Sequence, residues 1–168
     1  MPEIPGAESS RVVGMKEVLA EEVEVGQNVL VVDYQHHLYG LDTADFLAER
    51  GRKVELLTDM AFAGTEVDIY TIETAYFNAL NRGVVITPLT GLKEVNGRTA
   101  TVYHVITNAE RQIEGIDTIV VCTDERANDA LYYALKGKVK ELYLVGQALS
   151  PRKLLDSIAD AYVTARAL

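Results

Sequence analysis

The chain has 168 residues, of which 48% are hydrophobic and 24% are charged, and its formal net charge is −9. This composition is typical of a globular protein with a core, and it excludes a disordered or collagen-like chain. The negative charge disfavours a nucleic-acid partner because no basic patch offsets it. No apolar run has the length of a membrane span, so we expect no membrane partner.

The sequence predicts alternating strands and helices in the first half of the chain. Residues 1–25 predict an extended arm and a short helix, since two prolines keep the start out of helix. Apolar runs at 28–33 and 53–58 predict buried parallel strands. Between them, apolar residues at helical spacing predict a helix that Asp42 can cap and Gly51 can end.

The middle of the chain changes from long elements to short ones. A helix over about 66–80 and a strand over 83–88 continue the α/β alternation. Asn96-Gly97 is a strong hairpin signal between alternating segments. We therefore predict an antiparallel meander inserted between α/β elements, with strands within 91–95, 99–107 and 111–115.

The last quarter of the chain predicts a return to α/β elements. An apolar strand is expected at 117–123, a short helix at 124–137 and a last strand at 141–146. A final helix over 150–168 has Ser150 as a natural N-cap and a proline in its first turn. The predicted fold class is therefore α/β, a Rossmann-like three-layer nucleotide-binding domain with an inserted antiparallel β-meander.

Five stretches, taken in order, resemble a known family. They are "PEIPGAE", "VLVVD…GLDTADFLAERGRKVELLTD", "GVVITPLTGLKEV", "IEGIDTIVVCTDERAND" and "LYLVGQALSPRKLLDSIADAYVTARAL". The chain resembles, over nearly all its length, the NAD-domain-like C-terminal segment of old yellow enzyme-type NADH:flavin oxidoreductases. Trimethylamine dehydrogenase and 2,4-dienoyl-CoA reductase are members of that family.

The resemblance implies a division into three parts. Residues 1–25 look like a crossover between domains, and residues 26–138 like a degenerate NAD(P)-binding Rossmann domain. Residues 139–168 look like the closing strand and helix of an FAD domain. Full-length members also carry an FMN barrel, a complete FAD glycine fingerprint and an iron–sulfur site. The single cysteine of this chain cannot supply the ligands of an iron–sulfur site. The resemblance thus implies a piece or a separately encoded subunit of such an enzyme.

The resemblance also implies a partner and its cofactors. The partner would be a flavin-containing oxidoreductase chain or domain, with FMN, FAD or NAD(H) in the assembly and none bound by this chain alone. The role of this chain would be structural or docking. Two alternatives are a free-standing NAD(H)-binding oxidoreductase domain and a non-enzymatic interaction module that reuses the fold. No nucleophile–base pair or paired carboxylates at a definite spacing indicate catalysis by this chain alone.

The loop after the 28–33 strand departs from the G-x-G-x-x-G fingerprint. Gly40 takes the third glycine position and Asp33 the first, while the second has no glycine and the loop is two residues longer than usual. A carboxylate at Asp33 would repel a pyrophosphate, which favours a scaffold helix packed through Gly40 over an NAD site. Asp59 stands where an acid could hold a ribose hydroxyl, which would favour NAD over NADP, but an acid at the end of a strand is more often an ordinary loop residue.

Two more motifs enter through the resemblance. "VCTDERAND" resembles an "ATGxxxN" turn in which Asp124 replaces the glycine. "VGQALSPR" resembles "xGDxxxPR", which makes Gly146, Gln147 and Arg152 candidate flavin contacts. Gln147 replaces an aspartate that contacts the ribityl or phosphate region, and its amide can still donate and accept hydrogen bonds. The start of the following helix could face a flavin or phosphate from another chain, or could simply be a capped helix end.

The remaining candidates favour structural roles. His36 and His37 are adjacent and have no third ligand nearby, so a solvent-exposed loop is favoured over a metal site. Cys122 ends a buried strand and suits a reducing cytoplasm, where a single cysteine forms no disulfide framework. The final helix carries an apolar stripe that needs burial, which predicts a two-fold dimer, a dedicated partner subunit or folding back onto the domain. The stripe consists of Leu154, Leu155, Ile158, Tyr162 and Ala165.

Overall fold

A computed structural model describes residues 4–123 and 125–168 of the chain. The chain divides into two compact units, Met1–Thr123 and Asp124–Leu168. The motif position Asp124 lies outside the described residues.

The described residues of the first unit, 4–123, form eight strands and three helices. The strands are β1 Val12–Gly14, β2 Asn28–Asp33, β3 Lys53–Thr58, β4 Val85–Thr87, β5 Thr90–Asn96, β6 Thr99–His104, β7 Glu110–Ile113 and β8 Thr118–Cys122. The helices are α1 Met15–Leu19, α2 Leu38–Glu49 and α3 Ile69–Asn81. A five-stranded parallel sheet has the order β1-β8-β2-β3-β4, and β5, β6 and β7 form an antiparallel sheet.

The core lies on both faces of the parallel sheet. On one face Val31, Leu56 and Val120 pack with the helices, and on the other Leu30 and Leu57 pack with the antiparallel sheet. Because both faces are covered, the strands read as continuous apolar runs rather than as alternating ones. The predicted α/β class with an inserted antiparallel meander is confirmed.

Two boundaries in the first unit differ from the prediction. The predicted arm contains β1, which pairs in parallel with β8 from Val12 to Gly14. A three-residue strand leaves too short a pattern to be recognised in the sequence. Helix α2 starts at Leu38 with His37 at the N-cap, so Asp42 lies inside the helix and does not cap it. The turn after Asp33 brings the chain into helix one turn earlier than the apolar spacing indicated.

Within residues 125–168 the second unit forms two α-helices, α4 Ala130–Leu135 and α5 Leu154–Arg166, and a 3₁₀ turn at Gly146–Ala148. The predicted strand at 141–146 is wrong: the described residues of this unit form no strand. A strand requires a hydrogen-bonded neighbour, whatever its own propensity.

The start of α5 also differs from the prediction. Lys153 is the N-cap residue, and its backbone N–H donates to the Asp156 carboxylate at 3.1 Å. The Ser150 amide instead donates to the Gly146 carbonyl at 3.0 Å. Ser150 therefore extends the preceding 3₁₀ turn and does not cap the helix.

Candidate nucleotide-binding edge

The carboxyl ends of β2 and β3 form the edge where open α/β sheets bind ligands. Asp33 ends β2, Asp59 follows β3, and Gly40 lies in the first turn of α2. The structure brings these three predicted residues together with a fourth, His36. The geometry of the cluster decides what this edge can hold.

Asp33 is fully buried. Its Oδ1 accepts hydrogen bonds from the backbone amides of Gln35 at 3.1 Å and His36 at 3.3 Å. Its Oδ2 is buried without a hydrogen-bond partner. Burial raises the pKa of the Asp33 carboxyl above its ordinary value, and the two backbone hydrogen bonds oppose that rise.

Gly40 is in close contact with this carboxyl group. A Cβ atom at Gly40 would lie 2.6 Å from Asp33 Cγ and 2.7 Å from Asp33 Cβ. Real Cβ contacts are not that short, so only glycine allows α2 to approach the end of β2 at this point.

His36 connects the loops that follow β2 and β3. Its Nε2 lies 2.7 Å from Asp59 Oδ1, and its carbonyl oxygen accepts from the Glu66 amide at 3.0 Å. Its φ of 60° is left-handed, which is uncommon outside glycine. The expectation of a solvent-exposed loop is wrong for His36, which is half-buried and paired. A histidine and an aspartate 23 positions apart give no local signal of such a contact.

His37 and Cys122, the other two predicted residues near this edge, have structural positions. His37 precedes α2, and its ring centroid lies 6.0 Å from that of Tyr39. Cys122 is buried, and burial raises the pKa of its thiol to about 12. The thiol is therefore protonated at neutral pH and unreactive. In the part of the chain that the structure describes, no three or more His, Cys, Asp or Glu residues group into a metal site.

This edge does not fit a dinucleotide pyrophosphate. The Asp33 carboxyl group occupies the space in front of Gly40. The Gln35 and His36 amides, which would face a phosphate, already donate to Asp33. Asp59 is paired with His36 at the position expected for a ribose contact. A phosphate would meet a carboxylate where the fingerprint supplies glycine.

The three candidates in the second unit lie close together. The Gln147 Nε2 donates to the Arg152 carbonyl at 2.6 Å, and the Gly146 amide donates to the Asp160 carboxylate at 3.3 Å. Arg152 forms an ion pair with the same carboxylate. Gly146 has a left-handed φ of 62°, and a Cβ there would lie 3.2 Å from Ser157 Cβ. The polar groups of this motif therefore hold the turn before α5.

None of the helices in the described residues is long and apolar enough to cross a bilayer. No protein-family model matches the chain. The chain is 32% identical over 166 residues to an N,N-dimethylglycine/sarcosine dehydrogenase of Chromohalobacter salexigens, with 92% of this chain and 24% of that protein covered. It is 23% identical over 192 residues to a dimethylamine dehydrogenase of Hyphomicrobium sp., with 97% and 26% covered.

A solved structure, histamine dehydrogenase from Rhizobium sp. 4-9, aligns with a TM-score of 0.85 and 22% identity over 98% of this chain and 27% of that one. This likeness shows the fold. The chain spans about a quarter of the length of these relatives. It is therefore similar, over nearly its whole length, to one segment of these dehydrogenases, which agrees with the resemblance to the trimethylamine dehydrogenase type of flavoenzyme.

Proposed function

We propose that this chain is a degenerate nucleotide-binding-like domain or subunit of a flavin-dependent oxidoreductase of the NADH:flavin oxidoreductase and amine dehydrogenase type. It has a structural or docking role, and the redox chemistry takes place in the rest of the assembly. FMN, FAD or NAD(H) belongs to that assembly. The similarity to about a quarter of much larger dehydrogenases supports the proposal.

One observation carries the docking role. In the described part of the second unit no hydrophobic side chain is buried. Helix α5 has no buried residue, although large apolar side chains lie along it. Their exposed fractions are 73% for Leu154, 75% for Leu155, 57% for Ile158, 60% for Tyr162 and 67% for Val163.

Such a helix lacks the contact that normally stabilises it. A short helix in a protein is stabilised mainly by packing of its apolar face, and full burial of one such side chain contributes about 1.5–3 kcal/mol. An apolar face of this kind marks an interaction site. In the relatives the matching segment is part of a chain about four times longer, which has the additional surface that could cover it.

The alternative of a free-standing NAD(H)-binding enzyme is not proposed. Its phosphate position is occupied by the Asp33 carboxyl group, and the candidate ribose acid Asp59 is bonded to His36. Cys122 is buried, and this burial raises the pKa of its thiol, which disfavours a role as a reactive thiolate. A docking role needs none of these groups to react.

The proposal is tested by purifying the tagged chain alone and from the cells that encode it. Alone, the protein should be colourless. From its own cells it should elute with a stoichiometric partner that carries a flavin absorption band. Ile158→Asp should lose that partner, because a carboxylate in a desolvated apolar contact costs several kcal/mol. Ile106→Asp is the matched control, since Ile106 is 70% exposed after β6 of the first unit and should retain the partner.

Two results would contradict the docking role. One is a stoichiometric flavin on the isolated chain. The other is a light-scattering mass that corresponds to a monomer without a partner, if Ile158→Asp has the same mass. If the chain forms a homodimer and Ile158→Asp dissociates it, then the apolar face of α5 is covered by a second copy of the chain.

A further inference from the structure

Three buried oxygen atoms without a hydrogen-bond partner belong to the loops at the carboxyl edge of β2 and β3. They are Asp33 Oδ2, Gln35 Oε1 and Thr65 Oγ1. Buried polar groups in folded proteins are nearly always paired, so unpaired ones require a reason. Three such oxygens in two adjacent loops make this edge the place in the described residues where acceptor groups are gathered without donors.

Hydrogen bonds tie these loops to one another. Asp33 Oδ1 accepts from the Gln35 and His36 amides, which folds the first loop around the carboxyl group. The His36 carbonyl accepts from the amide of Glu66, the residue after Thr65. The His36 ring holds Asp59 at the start of the second loop. The loops that carry the three oxygens are therefore fixed against each other at His36.

The chemistry of these atoms determines the charge of the ligand. Carboxylate and amide oxygens only accept, and a threonine hydroxyl can accept as well. Asp33 is negative when ionised, and Asp59 adds a second carboxylate close by. An anion would be repelled here, whereas a cation would neutralise a buried carboxylate that otherwise has no counter-charge.

The donor set also selects the kind of cation. Carboxylate, amide and hydroxyl oxygens suit hard cations, which take several oxygen ligands and bind waters in addition. Zinc and similar metals prefer nitrogen and sulfur ligands. The described residues contain no group of three or more His, Cys, Asp or Glu side chains that could hold a metal ion, so the only charged donor of this set is the Asp33 carboxylate and the other two are neutral oxygens.

We propose that this edge binds a small hard cation, Ca²⁺ or an alkali ion, through the Asp33 carboxylate, the Gln35 amide oxygen and the Thr65 hydroxyl. An edge built to hold a phosphate in Rossmann domains thus has the opposite charge preference in this chain. The proposal does not depend on the docking role of α5, because all three ligands lie in the first unit.

The test is the thermal unfolding midpoint of the metal-depleted full chain. CaCl₂, NaCl and KCl are compared with tetramethylammonium chloride at equal ionic strength, since that cation is too large for the site. For a dissociation constant of about 1 mM, 10 mM of the bound cation should raise the midpoint by roughly 3 °C. The ion that gives the shift identifies the ligand.

Variants separate the site from general salt effects. Asp33→Asn keeps an oxygen for the two backbone amides but can place an NH₂ where the cation would bind, so the shift should vanish. Thr65→Val removes one ligand with little change in shape and should weaken the shift, and it decides the matter if Asp33→Asn does not fold. Asp42→Asn removes a carboxylate of α2 that is outside the site and should keep the full shift.

Terbium luminescence provides a direct binding measurement. Tb³⁺ takes hard oxygen sites, and tyrosine sensitises its emission at short range. Tyr34 follows Asp33 in sequence. Burial raises the pKa of the Tyr76 phenol, and the charge of Asp33 nearby adds to that rise. Saturable emission that Ca²⁺ displaces is expected in the wild type and not in Asp33→Asn. Equal shifts for all salts, or a cation shift that Asp33→Asn retains, would overturn the proposal.

Discussion

Gly40 and Asp33 approach so closely that a Cβ atom on Gly40 would lie 2.6 Å from the Asp33 Cγ. The contact joins the first turn of α2 to the end of β2 and places a buried carboxyl group where a Rossmann domain holds a phosphate. The stability, the ligand preference and the pH dependence of this edge follow from that contact.

Gly40→Ala should lower the free energy of unfolding by about 1–3 kcal/mol, because the added methyl group overpacks the contact. Asp33→Gly in the same chain should restore part of the loss, since it removes all three Asp33 atoms that the methyl group would meet, Cβ, Cγ and Oδ1. Asp33→Ala should not, because its Cβ remains 2.7 Å away. Urea denaturation measures each value. Gly51→Ala is the control: nothing lies within 4 Å of Gly51, so Asp33→Gly should leave its effect unchanged.

Asp33 should make the chain less stable as pH rises. Burial raises the pKa of Asp33 in the folded protein. The contribution of Asp33 to the free energy of unfolding is therefore fully present below the unfolded pKa of about 3.9, and it is lost as the pH rises through the folded pKa. Asp33→Asn cannot ionise and should lose less stability between pH 4 and pH 8. Urea denaturation in tetramethylammonium buffer measures both proteins. A parallel pH dependence in the two would refute an ionising, buried Asp33.

NADH should bind no more tightly than about 1 mM, or about −4 kcal/mol, because Asp33 opposes its pyrophosphate. Calorimetric titration of the full chain measures this affinity. Asp33→Gly removes the carboxyl group and is expected to bind NADH more tightly than the wild type. Micromolar binding by the wild type would show that the edge still works as a dinucleotide site.

The His36–Asp59 pair should contribute modestly to stability. Its side chains are 24% and 34% exposed, so we expect a coupling energy of about 0.5–1 kcal/mol in a double-mutant cycle. His36→Ala, Asp59→Ala and the double variant are compared by urea denaturation at neutral pH. Additive effects of the two single variants would mean that the contact does not hold the two loops together.

Local patterns in the sequence were sufficient for much of the fold. The runs that became β2, β3 and β8 are apolar throughout because both faces of the sheet are covered. The hairpin at Asn96-Gly97 joins β5 to β6, and Gly97 takes the positive φ of 58° that such a turn requires. These features depend on residues that are neighbours in sequence.

Features that depend on distant partners were decided only by the tertiary structure. Val12–Gly14 is a strand because β8 lies beside it, and residues 141–145 have strand-forming side chains but no neighbouring strand among the described residues. The sequence showed that Asp33 replaces a glycine. Only the fold shows that the Asp33 carboxyl group is buried and packed on Gly40. The fold also brings His36 into contact with Asp59. Composition and periodicity determine which segments are buried, whereas the charge preference of a site depends on which groups the folded chain brings together.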